Sequence, residues 1–80
     1  MHPTLKSFYE CVIDIAKYGN DEADYNYSMC YKYMLDNYPH CEELLDRFAE
    51  LASLLYGGDE SVITEMNEIE KTLDSNRVPF

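Results

Sequence analysis

Leu5, Phe8, Tyr9, Val12, Ile15 and Ala16 return every three or four residues, with polar residues between them. That period belongs to a helix with one side turned to a core. It predicts a first helix over about 4–18, with Thr4 as N-cap and Gly19 as C-cap. Gly19, Pro39 and the Gly57-Gly58 pair then punctuate the chain and divide it into four pieces of helical length. No stretch alternates apolar and polar residues for long enough to read as a strand.

The second piece, about 22–37, carries two apolar sides. Asn20 or Asp21 is positioned to cap it, and acids crowd its first turn, where the helix dipole favours them. Ala23, Tyr27, Cys30, Tyr31, Met34, Leu35 and Tyr38 share one face, the expected core face. Tyr25, Met29 and Tyr33 fall outside it and, with Glu22 and Asp36, make a second ridge. If the first face packs inward, the ridge faces water. Tyrosine and methionine are residues that protein interfaces favour.

The third piece, about 40–56, has Pro39 as a first-turn proline and a broad apolar face of Cys41, Leu44, Leu45, Phe48, Leu51, Ala52 and Leu55. On the other side Glu42, Asp46 and Glu50 stand at i, i+4 and i+8, with Glu43 beside them and Arg47 on the flank. Leu54 lies off the core face. In the fourth, about 60–73, Asp59 is the expected cap. Val62, Met66, Ile69 and Leu73 keep a 4-3-4 spacing, a narrow packing seam. Ser75-Asn76 is the expected stop; of the tail 74–80, residues 77–80 are expected to be loosely held, with Phe80 free to dock on the bundle. Short links favour antiparallel neighbours. The fold class expected is all-α: one domain over 1–80, a compact antiparallel bundle of four short helices.

Composition agrees with that class and narrows the setting. Eighty residues, 46% of them apolar, make one small core. No basic segment leads into an apolar one as in a secretory signal, and no apolar run nears the roughly 20 residues that span a bilayer. The expectation is a soluble cytoplasmic protein without membrane partners. Cys11, Cys30 and Cys41 are odd in number and lack paired spacing, so they read as free thiols.

Charge changes the picture most. The formal net charge is −10. Residues 1–20 are neutral, residues 21–40 carry −3, and residues 41–80 carry −7 from ten acids against Arg47, Lys71 and Arg77. Direct binding to DNA or RNA is disfavoured, since no basic stripe exists to meet phosphates. Chemistry-bearing motifs are also missing. The histidines, His2 and His40, and the three cysteines lack zinc-ligand spacing. The acidic stretch DEADYNYS, residues 21–28, lacks the glycine and distal glutamate of a calcium loop. No nucleophile elbow, P-loop or dinucleotide fingerprint occurs. The chain is expected to be non-catalytic and to need no cofactor or metal.

Carboxylates at i and i+4 stand roughly 5–6 Å apart on a helix, and each strand of a DNA duplex places a phosphate about every 3.4 Å along the axis. The row Glu42, Asp46, Glu50 therefore makes a coarse phosphate track. A basic nucleic-acid channel would attract it, while Tyr25, Met29 and Tyr33 would supply apolar anchors.

In length, charge and lack of catalytic motifs the chain resembles the small acidic inhibitors encoded by phages and plasmids, among them anti-CRISPR proteins and DNA-mimic anti-restriction proteins. The resemblance implies occupation of the basic nucleic-acid-binding surface of a defence nuclease or CRISPR effector in the host cytoplasm. The partner-binding residues expected are Glu22, Tyr25, Met29, Tyr33, Asp36, Glu42, Glu43, Asp46 and Glu50. The alternative is a homodimerising or antitoxin-like regulatory module in which Tyr25, Met29, Tyr33 and Leu54 pack on a second copy and no mimicry occurs.

Overall fold

The structure, a computed structural model, describes residues 2–78. Four helices follow one another: α1 (Pro3–Tyr18), α2 (Asp21–Asn37), α3 (Glu42–Tyr56) and α4 (Ile63–Asn76), the last preceded by a short 3-10 turn, Glu60–Val62. No strand occurs among the described residues. The all-α bundle expected from the apolar spacing is the fold observed.

The caps show why the chain breaks where it does. Gly19 sits at φ 58°, and its N–H closes α1 on the Ile15 carbonyl. Only a residue without Cβ takes that left-handed position at little cost. One residue later Asn20 begins α2, its Oδ1 accepting from the Ala23 N–H at 2.8 Å. A two-residue link of this kind turns α2 back along α1.

Several boundaries differ from expectation. His2, not Thr4, caps α1: its Nδ1 accepts from the Thr4 N–H at 3.2 Å, and Pro3 holds the first helical position, where its missing N–H costs nothing. Pro39 does not open α3. It belongs to a turn completed by His40 at φ 64°, and the helix starts at Glu42 with Cys41 as its cap residue. Asp59 caps the 3-10 turn through Ser61 N–H, so α4 proper starts later and runs to Asn76 rather than 73. Ala16 is exposed, lying at the edge of the α1 stripe. The tail is tied rather than loose as far as Val78, whose N–H donates to the Asn37 carbonyl at 2.8 Å. The expected docking of Phe80 lies outside the described residues.

Within the bundle α1 and α3 form the inner pair. α1 packs against α2 on one side and α3 on the other, and α4 packs against α3. Phe8 lies at the junction, fully buried, with ring centroids 5.6 Å from Tyr27, 6.2 Å from Tyr31 and 6.2 Å from Phe48. Leu5 and Val12 continue the α1 stripe, Leu45, Leu51 and Ala52 the α3 stripe, and Val62, Met66, Ile69 and Leu73 are all buried as the seam predicts. Each fully buried side chain of this size contributes about 1.5–3 kcal/mol, so a few such residues hold the fold. The radius of gyration, 12.1 Å, is close to the roughly 12 Å expected of a packed chain of this length.

Candidate functional site

Two surface features carry the residues singled out from the sequence. The first is the outer side of α2. The core side of that helix buries Ala23, Met34 and, just past its end, Tyr38, which leaves Tyr25, Met29 and Tyr33 outward at 65%, 50% and 57% exposure. Glu22 and Asp36, at the two ends of the ridge, are exposed as well.

The second is the polar side of α3. Glu42, Glu43, Asp46 and Glu50 are all exposed. Glu42 and Glu43 stand in the first turn, where the helix dipole stabilises them. Asp46 reaches across to α2: its Oδ1 accepts from the Tyr31 hydroxyl at 2.9 Å. Burial, and then this bond to a carboxylate, push the Tyr31 hydroxyl up to about 12. Glu50 is a different case. Arg47 Nη1 lies 3.0 Å from its Oε1, and the same guanidinium donates from Nε and Nη2 to the two carboxylate oxygens of Glu65, at 2.7 and 3.0 Å. That fork is a two-point match between α3 and α4, and it holds the Glu65 carboxyl below its ordinary value. The acid row is therefore not uniform. Its far end shares a cation, and among the described residues no cation lies against Glu42, Glu43 or Asp46.

The ridge and the row form two surfaces. Tyr31, the residue that Asp46 touches, is two positions from Met29 and two from Tyr33, roughly 200° around the helix from each. The row thus borders the inner edge of α2, while the ridge faces away from it. The aromatic side chains do not stand inside the α3 acid row, as one continuous patch would require; the acids beside them are Glu22 and Asp36 of their own helix.

Sequence reasoning passed over a further apolar group. Tyr18 ends α1 at 60% exposure, with Lys17 Nζ 5.1 Å above its ring, and Tyr56 ends α3 exposed; Ile63 is exposed at the start of α4. An aromatic residue in the last position before a capping glycine was the available signal. An open groove of about 300 Å³ also runs between α1 and α3, floored by Val12, Ile15 and Ala49, walled by Tyr27, and edged by Glu50 and Ser53.

Among the described residues no group of three or more His, Cys, Asp and Glu is placed to hold a metal ion, and no helix is long and apolar enough to cross a membrane. No known family model matches the chain, and no curated protein or solved structure matches it.

Proposed function

We propose that this protein is a non-catalytic inhibitor that occupies the basic nucleic-acid-binding surface of a defence nuclease or CRISPR effector and excludes DNA or RNA from it. One observation carries the reading: of sixteen carboxylates, fourteen are exposed and two, Glu65 and Glu70, are half-buried, against only six cations. A bundle this small then presents a strongly negative exterior to its surroundings. Asp46, bonded to Tyr31 of α2, and Glu42 and Glu43 in the turn before it are the residues on which a basic groove would close. Long-range attraction sets the encounter rate.

The test is displacement of a labelled duplex from candidate effectors by the full chain, at about 50 and 200 mM salt. Affinity should fall steeply between the two, and E42K, D46K and E50K combined should weaken it further. The E50K contribution should be the smallest, since Arg47 already offsets that charge. Binding indifferent to salt and to these substitutions rejects mimicry.

A second reading rests on the separate aromatic ridge. Tyr25, Met29 and Tyr33 face away from the α3 acid row and suit a homodimerising or antitoxin-like module. Light scattering across a concentration series distinguishes the two: a tight dimer that survives high salt and is lost in Y25S/M29S/Y33S supports this reading and displaces the first.

A further inference from the structure

The acid row and the aromatic ridge lie on different faces, so the row must find its apolar contact elsewhere. The groove beside it supplies one. Val12 and Ile15 of α1 and Ala49 of α3 line the groove, Tyr27 of α2 walls it, and Glu50 and Ser53 stand at its edge. Glu50 is itself a member of the row. A second link lies one helical turn away on both flanks. Tyr31 follows Tyr27 by four residues, Asp46 precedes Glu50 by four, and the Tyr31 hydroxyl donates to Asp46 at 2.9 Å. The rings of Tyr27 and Tyr31 stack with centroids 6.1 Å apart. Groove and row are therefore one continuous face, apolar in the hollow and acidic along α3.

We propose that this face binds a basic polypeptide segment by one apolar side chain seated in the groove, with lysines or arginines beside that side chain lying along Glu50, Asp46 and Glu42. The site rests on the reading above that the partner is basic, and it locates the grip. Size favours a side chain as occupant. At about 300 Å³ the open groove stands at the lower end of small-molecule sites, which reach about 1,000 Å³. Charge favours a basic chain over a small ligand. The exposed carboxylates of Asp46, Glu43 and Glu42 continue along α3 for two turns beyond Glu50, and among the described residues no cation lies against them. Arg47 meets Glu50 through Nη1 alone, its Nε and Nη2 being given to Glu65. Glu50 thus keeps capacity for a partner's cation. Long-range charge brings the segment in, and a desolvated anchor in the hollow holds it.

The experiment titrates the full chain, labelled in its methyl groups, with a short lysine-rich peptide carrying one central leucine, and with the same peptide carrying serine there. NMR reads the methyl signals. The leucine peptide should shift Val12, Ile15 and Ala49, leave Met29 unmoved, and bind at least about tenfold more tightly than the serine peptide. Both should weaken as salt rises. Ser53→Phe, which sets a ring over the groove from an exposed position, should bring the leucine peptide down to the affinity of the serine peptide. Equal affinity of the two peptides, shifts centred on Met29, or equally tight binding of an uncharged peptide with the same leucine would each overturn the proposal. The two peptides on the unaltered chain decide even if S53F fails to fold. The result is separable from displacement of the duplex. Equal peptide affinities with displacement intact remove the groove and leave the inhibitor reading; a groove filled by the leucine peptide without displacement leaves the groove and removes that reading.

Discussion

α3 and α2 are similar in length, fifteen and seventeen residues, and they meet water in opposite ways. α3 keeps most of its apolar residues in one stripe, where Leu45, Phe48, Leu51 and Ala52 are all but fully buried; Leu54 and Tyr56 near its end are exposed, and the rest of its outer side is charged. α2 spreads aromatic residues around its circumference, buries only part of them and leaves Tyr25, Met29 and Tyr33 in water. Segregation makes α3 the helix the core is built on. α2 is held along one side by α1, and its remaining apolar surface adds nothing to the core. Such surface is available for binding.

The sharpest way to break this contrast is substitution on the two helices. Phe48→Ala on α3 should cost about 3–5 kcal/mol. That is close to the whole stability of a domain this small, so urea melts should show little or no cooperative transition. Tyr33→Ser on α2 should change stability by no more than about 0.5 kcal/mol. If the two substitutions cost the same, the ridge is part of the core and the contrast fails.

A smaller effect concerns the end of α2. Tyr38 is fully buried, and its hydroxyl has no hydrogen-bond partner among the described residues. A buried hydroxyl without a partner is a net cost, so Tyr38→Phe should stabilise the chain by about 1 kcal/mol, measured as a higher urea midpoint. A loss of stability would mean that the hydroxyl is satisfied in solution, for example by water.

Tyr31→Phe probes the place where the two helices touch. Removing the hydroxyl that donates to Asp46 should cost about 0.5–1 kcal/mol near neutral pH. The pH dependence has a definite sign. The folded value, about 12, lies above the ordinary value of 10, so the protonated hydroxyl is favoured by folding. Its contribution is complete below pH 10 and is lost as pH rises through about 12. The gap between the two proteins should close across that window, and a gap that stays constant would show that the bond to Asp46 is not what the hydroxyl contributes.

Salt is expected to act most gently. Crowded carboxylates on the outer side of α3 repel one another, so moderate salt should raise Tm by a few degrees, about the scale of a fraction of a kcal/mol. A fall in Tm would mean that screened bridges, such as Arg47 to Glu65, outweigh the repulsion.

The α3 stripe, the α4 seam and the Gly19-Asn20 break were readable because each is a local pattern: a period, a spacing, or a residue type at a cap. The same locality explains the misses. Thr4 is the favoured cap type, but Pro3 ahead of it, whose fixed φ is already helical, moves the start of the helix back to His2. Pro39 reads equally well as a first helical residue or as a turn, and the left-handed His40 that settles it has no clear sequence signature. For the candidate site, exposure of Tyr25, Met29 and Tyr33 followed from the face assignment on α2. The separation of ridge and row did not, because it depends on where α3 lies beside α2.

Residue order settled the features that need only neighbours along the chain: four helices, which side of α1, α3 and α4 is apolar, and a surplus of ten negative charges. Packing settled the features that join distant positions. It made α1 and α3 the inner pair, set Asp46 against Tyr31 and shared Arg47 between Glu50 and Glu65. The physical reason is range. Helix period and capping act over a few residues, whereas a hydrogen bond or ion pair between helices exists only after the core has fixed how they lie together.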